Sequence, residues 1–544
     1  MKPRNHRIRA KTLLVLSMVS ATALWGVIVI YSAQLQFFCS SNIDIASYLP
    51  GGSQEDPDVR RVNAEIDSIF ANALTEATAF PPADQYHQRQ LLGTLLLFDK
   101  SLSVYKNLAC TSCHDPAAGF TGGVSLFNQT IVAYPGSVPI TNATAGGPNY
   151  RLSGRKPQSY TYAPYAPILH YNATQGDFYG GNFWDMRATG TRLGNCDAEQ
   201  AEGPPTNPVE HGFADFACWV YAISQSPYRA FFEQVWGPQS FAVAWPANIE
   251  QICTTPGPPP ANDPFPVHLT TVDRGIVSDT YDHMALSIAQ YDTTQNVSPF
   301  SSKFDFALAN PTQQVFSATE LAGWALFRGK AQCNTCHLDG NSQLLGNIRL
   351  DGTSTRNKGQ PPLGPNLIQP GMATDRGPMF TDFTSANLGL PKNLALPFYC
   401  ENHPDQFGFT ANPAGSDYTD RGVGDMLRSA NNPNPDWVVL APQFDGKFRV
   451  PTLRNVDMRP YPTFVKAYMH NGYLKSLKEV VHYYNTRDKF PHCAQGSPGE
   501  KVTCWPAPEV LANIDLTVGN LGLTDEEENQ IVAFMQTLTD GYNP

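Results

Sequence analysis

The residues best suited to chemistry in this chain lie in two short runs, Cys110-Thr-Ser-Cys113-His114 and Cys333-Asn-Thr-Cys336-His337. Each sets two thiols three positions apart and follows the second directly with an imidazole. On one helical turn, thiols so spaced reach the two vinyl groups of a haem, and the adjacent His reaches the iron. Four thiols could instead bind zinc, or each pair could act as a redox couple. A tetrathiolate site would leave both His residues without a role, so the spacing predicts two covalently bound c-type haems. Seven further cysteines remain, at 39, 196, 218, 253, 400, 493 and 504. Cys493 and Cys504 close a short loop and are the expected disulfide; spacing assigns no partner to the others and leaves one thiol over.

Both motifs need a rigid approach. Leu91–Phe98 leads into the first and Thr319–Phe327 into the second. The two approaches share a pattern, Gly93-x-x-Leu96-Leu97 and Gly323-x-x-Leu326-Phe327, a weak internal repeat that suggests two related domains. Helical signals recur at Asp58–Ala79, Asp282–Tyr291, Leu477–Tyr484 and Asp525–Leu538. Ile252–His268 is Pro-rich and reads as a surface loop, and Asp339–Phe448 as a long irregular stretch. Strand signals are sparse. The expected class is mainly α with long irregular loops: two cytochrome c-like haem domains behind an N-terminal transmembrane helix. The expected division is a basic start and anchor over 1–38, a linker and leading helix over 39–84, and haem domains over 85–300 and 301–544.

Composition sets the compartment and excludes some partners. Hydrophobic residues make up 42% of the 544, which excludes a disordered chain. The net charge is −11 and no long basic run occurs beyond the N-terminus, so the chain offers no nucleic-acid surface. Lys2, Arg4, Arg7, Arg9 and Lys11 precede an uncharged stretch, Thr12–Tyr31, whose twenty residues can span a bilayer core of about 30 Å. That length favours an uncleaved anchor over a cleaved signal, whose apolar region is shorter and ends in small residues. Basic residues stay inside, so the rest of the chain is expected on the periplasmic side of the bacterial inner membrane, either tethered there or secreted. The QFFC context of Cys39 is not that of a lipoprotein site.

Beyond the two haem motifs, residues 85–540 contain Gly154-Arg155-Lys156-Pro157-Gln158-Ser159, Phe183-Trp184-Asp185-Met186-Arg187, Asn207-Pro208-Val209-Glu210 and Pro451-Thr452-Leu453-Arg454-Asn455-Val456. They close with Tyr468-Met469-His470-Asn471-Gly472 and Ser476-Leu477-Lys478-Glu479-Val480-Val481. In these motifs and their order the chain resembles the bacterial di-haem cytochrome c peroxidase family, including its MauG branch. The 223 residues separating His114 from His337 exceed the usual spacing of that family, in keeping with the Pro-rich insertion.

The resemblance implies that one haem meets hydrogen peroxide while the other relays or stores oxidising equivalents. His114 and His337 become the proximal iron ligands. Peroxidases of the family often place a second His opposite the first haem, but residues 115–154 contain none, so that haem is expected to be open. Matching positions put Gln200, Pro204 and Glu210 on its distal side, with Glu210 as the acid–base group. At the second haem the family position reaches Tyr484, fourteen residues after His470; peroxidases carry Met there and the MauG branch Tyr. His482 and Met469 are competing donors. Trp184 is expected between the haems, and Arg155 and Arg187 at haem propionates. The family's calcium is in doubt, because its Asn position is Lys156, while the carbonyl positions fall near Val465 and Ala467. The surface Trp that the MauG branch can use to oxidise a protein partner is replaced by Ala331. The expected function is therefore oxidation of a redox protein or another substrate, driven by peroxide. Rival readings are ordinary peroxide detoxification with electrons from a small redox protein, oxygenase-type cleavage of an organic substrate, and a pure electron carrier.

Overall fold

The structure is a computed structural model that describes residues 44–141, 149–339 and 378–544. The expected anchor Thr12–Tyr31 and Cys39 lie outside the described residues. Among the described residues no helix is long and apolar enough to cross a membrane.

The elements that frame the two motifs follow local sequence rules. α1 (Pro57–Ala79) starts with Pro at its first position and an Asp56 side chain that accepts from Asp58 N. α2 (Gln85–Phe98) is capped by Asp84 and buries Leu92, Leu95, Leu96 and Phe98. α3 (Cys196–Ala201) begins at Asn195, whose side chain accepts from Asp197 N and Ala198 N. α4 (Phe216–Ser224) carries the fully buried Trp219, and α5 (Thr271–Asp292) is almost wholly buried over its last two turns. α6 (Ala318–Arg328) opens on a Ser317/Glu320 capping box. α7 (Leu477–Thr486) and α8 (Asp525–Gln536) follow, the latter with a Thr524/Glu527 box and four acidic residues in its first turn. Those acids face the positive end of the helix dipole.

Strands are few and short. β1 (His170–Asn172) pairs antiparallel with β2 (Asp177–Tyr179), and β3 (Ser385–Ala386) with β4 (Phe448–Arg449). The registers are His170 with Tyr179 and Ser385 with Arg449.

The internal repeat has a physical meaning. A Cβ on Gly93 of α2 would lie 2.2 Å from the Ser287 carbonyl oxygen of α5, and one on Gly323 of α6 would lie 1.9 Å from that of Gln530 in α8. In each half, glycine lets a second helix cross close against the helix that leads to the cysteines. The first crossing belongs to a core that includes Leu92, Leu96, Met284 and Ile288. The second adjoins a cluster of Leu477, Val481, Ile531 and Met535, with Phe304, Phe327, Phe380 and Phe534 forming an aromatic wall beside it. Each such side chain contributes about 1.5–3 kcal/mol on full burial.

The stretch before α1 is more than the expected linker. Ile45 and Leu49, spaced to share one face, are buried in the first core with Val59, Val62 and Ile66. Cys493–Cys504 is a disulfide as expected, and Cys218–Cys253 is a second. Cys196 is a free, buried thiol. In the described part of Asp339–Phe448, short helical turns alternate with irregular chain. Val423, Met426 and Phe444 from this stretch pack against Leu169, Phe178 and Met186 of the first half.

Candidate functional site

Each Cys-x-x-Cys-His run ends in an imidazole held by one bond. His114 Nδ1 lies 3.1 Å from Phe120 O, and His337 Nδ1 lies 3.0 Å from Phe380 O. A carbonyl only accepts, so both Nδ1 atoms carry the proton and both Nε2 lone pairs are free to bind a metal. Both phenylalanines sit in the left-handed region, at φ 55° and 50°. Thr follows each, and Thr121 Oγ1 and Thr381 Oγ1 donate to Pro157 O and Val450 O. The same device thus serves both halves, although its Phe is six residues from the His in one and 43 in the other. Burial pulls each imidazole down to about 4, which keeps both neutral and ready to coordinate. Burial, aided by the charge of Glu210, pushes the Cys110 thiol up to about 12.

Around His114 the cavity has two lobes. One brings Cys110 and Cys113 together with Gln200, Pro204 and Glu210; the other adds Arg155, Trp184 and Arg187. Gln200 stands in the last turn of α3, and Pro204 opens the helical turn Pro204–Thr206. Glu210 Oε1 accepts from Asn207 Nδ2 at 2.6 Å. Burial raises the Glu210 carboxyl above its usual range, while the Arg187 charge and the Asn207 bond oppose the rise.

Around His337 the second cavity includes Cys333, Cys336, Met469, His470 and Tyr484. Tyr484 lies on α7, and its hydroxyl has no hydrogen-bond partner among the described residues. Burial and the neighbouring Cys333 and Cys336 raise it above its usual value, so a phenolate there would require a compensating cation. His482, a competing donor on the same helix, turns to Glu528 on α8, with Nδ1 3.0 Å from Oε1. Trp184 lines both cavities, and its Nε1 donates to Lys156 O at 2.8 Å.

The two expected propionate arginines are engaged with acids. Arg155 clamps Asp420 through Nε and Nη2, both at 2.7 Å, and reaches Asp185 at 2.6 Å. Arg187 bonds Asp185 at 3.0 Å and stacks on Phe183.

The sequence reading missed some cavity residues. His211, next to Glu210, is buried with Nδ1 2.6 Å from Leu102 O, leaving Nε2 as an acceptor 3.6 Å from Cys110 Sγ. Asp197 and Asp292 stand in the walls of the two lobes. Burial, with repulsion from Asp197, holds Asp292 well above the usual carboxylate range. The adjacency of His211 to the Asn-Pro-Val-Glu run was a signal within reach. Asp292 had none, because it stands 82 residues from Glu210.

Paired thiols on a tight turn, a tautomer-locked imidazole and a cavity above it recur in both halves. The donor set fits two covalently bound haems, and the acid-lined first cavity fits a peroxide-reactive class of haem protein. The comparisons agree. The profile of the family described as di-haem cytochrome c peroxidase matches residues 87–313. The chain is 26% identical over 480 residues to the methylamine utilization protein MauG of Paracoccus denitrificans, covering 87% of this chain and 93% of that protein. It is 27% identical over 456 residues to the cytochrome-c peroxidase IdrP1 of Denitromonas iodatirespirans, covering 82% and 80%. The fold is similar to that of the diheme peroxidase BthA from Burkholderia thailandensis, with a TM-score of 0.55, 23% identity and coverage of 85% and 87%. Over residues 87–313 the chain matches the di-haem cytochrome c peroxidase family, and it is an enzyme that carries two c-type haems.

Proposed function

We propose that the chain is a MauG-like oxidoreductase that takes peroxide into the cavity above His114 and passes oxidising equivalents across Trp184 towards the Tyr484 side. Haem iron, when bound, supplies the site for peroxide and for electron transfer. Cys110 and Cys113 would hold one haem and Cys333 and Cys336 the other, with His114 and His337 as proximal ligands. Glu210 Oε2, left free by the Asn207 bond to Oε1, takes a proton from one peroxide oxygen and returns it to the other as the O–O bond breaks. Gln200 and Pro204 shape the space in which peroxide turns towards Glu210. Tyr484 Oη would supply the second haem iron, when bound, with a hard anionic donor that favours its oxidised states.

The observation that carries this reading is the pair of unlike cavities. Glu210 faces the first, and Tyr484, whose hydroxyl has no hydrogen-bond partner among the described residues, faces the second. A second reading, peroxide removal with electrons from a small redox protein, is favoured by the similarity to IdrP1. Absorbance and electron paramagnetic resonance spectra before and after one equivalent of H2O2 decide between them. A stoichiometric, long-lived spectral change at both haems without an added donor supports the MauG-like reading, while dependence on prior reduction supports the other. The disulfides and the uncharged N-terminal stretch support placement on the periplasmic side, tethered or secreted. The oxidised partner is a redox protein or another substrate.

A further inference from the structure

Two lysines are buried between the two cavities, and among the described residues their Nζ atoms hydrogen-bond only neutral oxygens. Lys466 is 4% exposed, and its Nζ donates to Ala118 O at 2.9 Å and to Asn455 O and Met458 O at 3.0 Å. Three carbonyls take three N–H groups. A neutral amine would set its lone pair against one of them, so this geometry calls for the ammonium. Ala118 belongs to the loop after His114, while Asn455 and Met458 follow Arg454, so a single charge ties the two halves together.

Lys156 is 7% exposed, and its Nζ donates to Thr121 Oγ1 at 2.6 Å and Pro157 O at 3.0 Å. Its main chain donates to His470 O at 2.7 Å and accepts from Trp184 Nε1. Lys156 lines both cavities, and Lys466 lines the second. Burying such cations costs several kcal/mol each. Burial and the charge of Lys156 push Lys466 down, and burial brings Lys156 down to about 7. Asp457 and Asp115 act on Lys466 only from beyond hydrogen-bond reach, and the haem propionates are carboxylates, the counter-charge that no direct partner of these ammoniums supplies.

The calcium that the resemblance raises does not fit here. A calcium ion takes about six to eight oxygen ligands, usually including carboxylates. The oxygens around Lys156 and Lys466 already accept N–H bonds, and an arriving cation would meet positive charge.

We propose that Lys156 and Lys466 form a built-in, metal-free cationic bridge between the two haem cavities, which positions Trp184 and raises the reduction potentials of both irons. Reduction adds negative charge to each site, so a fixed positive charge nearby favours the reduced form. The test uses the purified di-haem protein. Metal analysis should find no stoichiometric calcium. EGTA followed by calcium should leave both midpoint potentials and the thermal midpoint unmoved. Lys156→Met and Lys466→Met should shift both haem midpoints to more negative values in spectroelectrochemical titration, and Lys156→Arg should restore them. Should Lys466→Met fail to fold, Lys156→Met and the metal analysis decide. One calcium per chain whose removal moves the potentials, or a folded Lys156→Met with both midpoints unmoved, overturns the proposal.

Discussion

Replacing Glu210 with Gln isolates proton transfer from packing. The Gln amide oxygen can still accept from Asn207 Nδ2, which now lies 2.6 Å from Glu210 Oε1, and the side chain keeps its length. What disappears is a group able to accept and return a proton. Such a group contributes about 10²–10⁴ in rate, or roughly 3–5 kcal/mol at 1.36 kcal/mol per decade. The carboxyl is raised by burial, against the pull of Arg187, so its proton affinity moves towards that of a useful base at neutral pH. Protonation disables it as an acceptor, so the wild-type rate falls as pH drops through its raised value, above the ordinary 4.5. The Glu210→Gln variant should lose that acidic limb and show a flat profile. Stopped-flow absorbance after mixing with H2O2, from about pH 4 to 8, measures both effects. A Glu210→Gln rate within about threefold of wild type, with the acidic limb intact, would refute proton transfer by Glu210.

Tyr484→Phe keeps the apolar ring and removes the oxygen; the low-spin paramagnetic resonance signal of the second haem should be lost, and an unchanged signal would exclude ligation. Electrospray mass of the denatured protein should show two haems retained, and a single haem would contradict the double motif. Asp420→Asn removes the partner of Arg155. Although burial would raise Asp420, the guanidinium holds it at about 2 against an ordinary 3.8, a difference of roughly 2 kcal/mol in stability. The depressed value means this contribution is present above about pH 4 and lost as pH falls through 2, so wild type and variant should converge in acid denaturation. Replacing both Cys218 and Cys253 with Ala opens a loop of sequence separation 35, and should cost about 4 kcal/mol in chemical denaturation by the loop-entropy estimate.

Much of the site was legible because covalent chemistry fixes spacing. Cys110, Cys113 and His114 must occupy one turn to serve one haem, and any sequence that does so reveals itself. Gly93 and Gly323 already marked the repeat, though only the packed helices show why glycine stands there. The Tyr484 and Glu210 positions came from motif order, and the cavities do contain both residues. His211 escaped because one His beside a motif has no period or spacing of its own. The left-handed Phe120 and Phe380 escaped because the bond to the imidazole spans loops of unequal length.

By itself the sequence determined the number of haems, the repeat that leads into each motif, the absence of a His in residues 115–154 and the acidic charge balance. These depend on residue type and short-range order. Tertiary structure alone decided which distant groups share a cavity wall. It turned His482 to Glu528, drew Arg155 onto Asp420, set the charge of Asp197 against Asp292, and set Lys156 and Lys466 among neutral oxygens between the halves. Those outcomes follow from chain crossings over tens to hundreds of residues, where desolvation and hydrogen-bond satisfaction, rather than local propensity, select each partner.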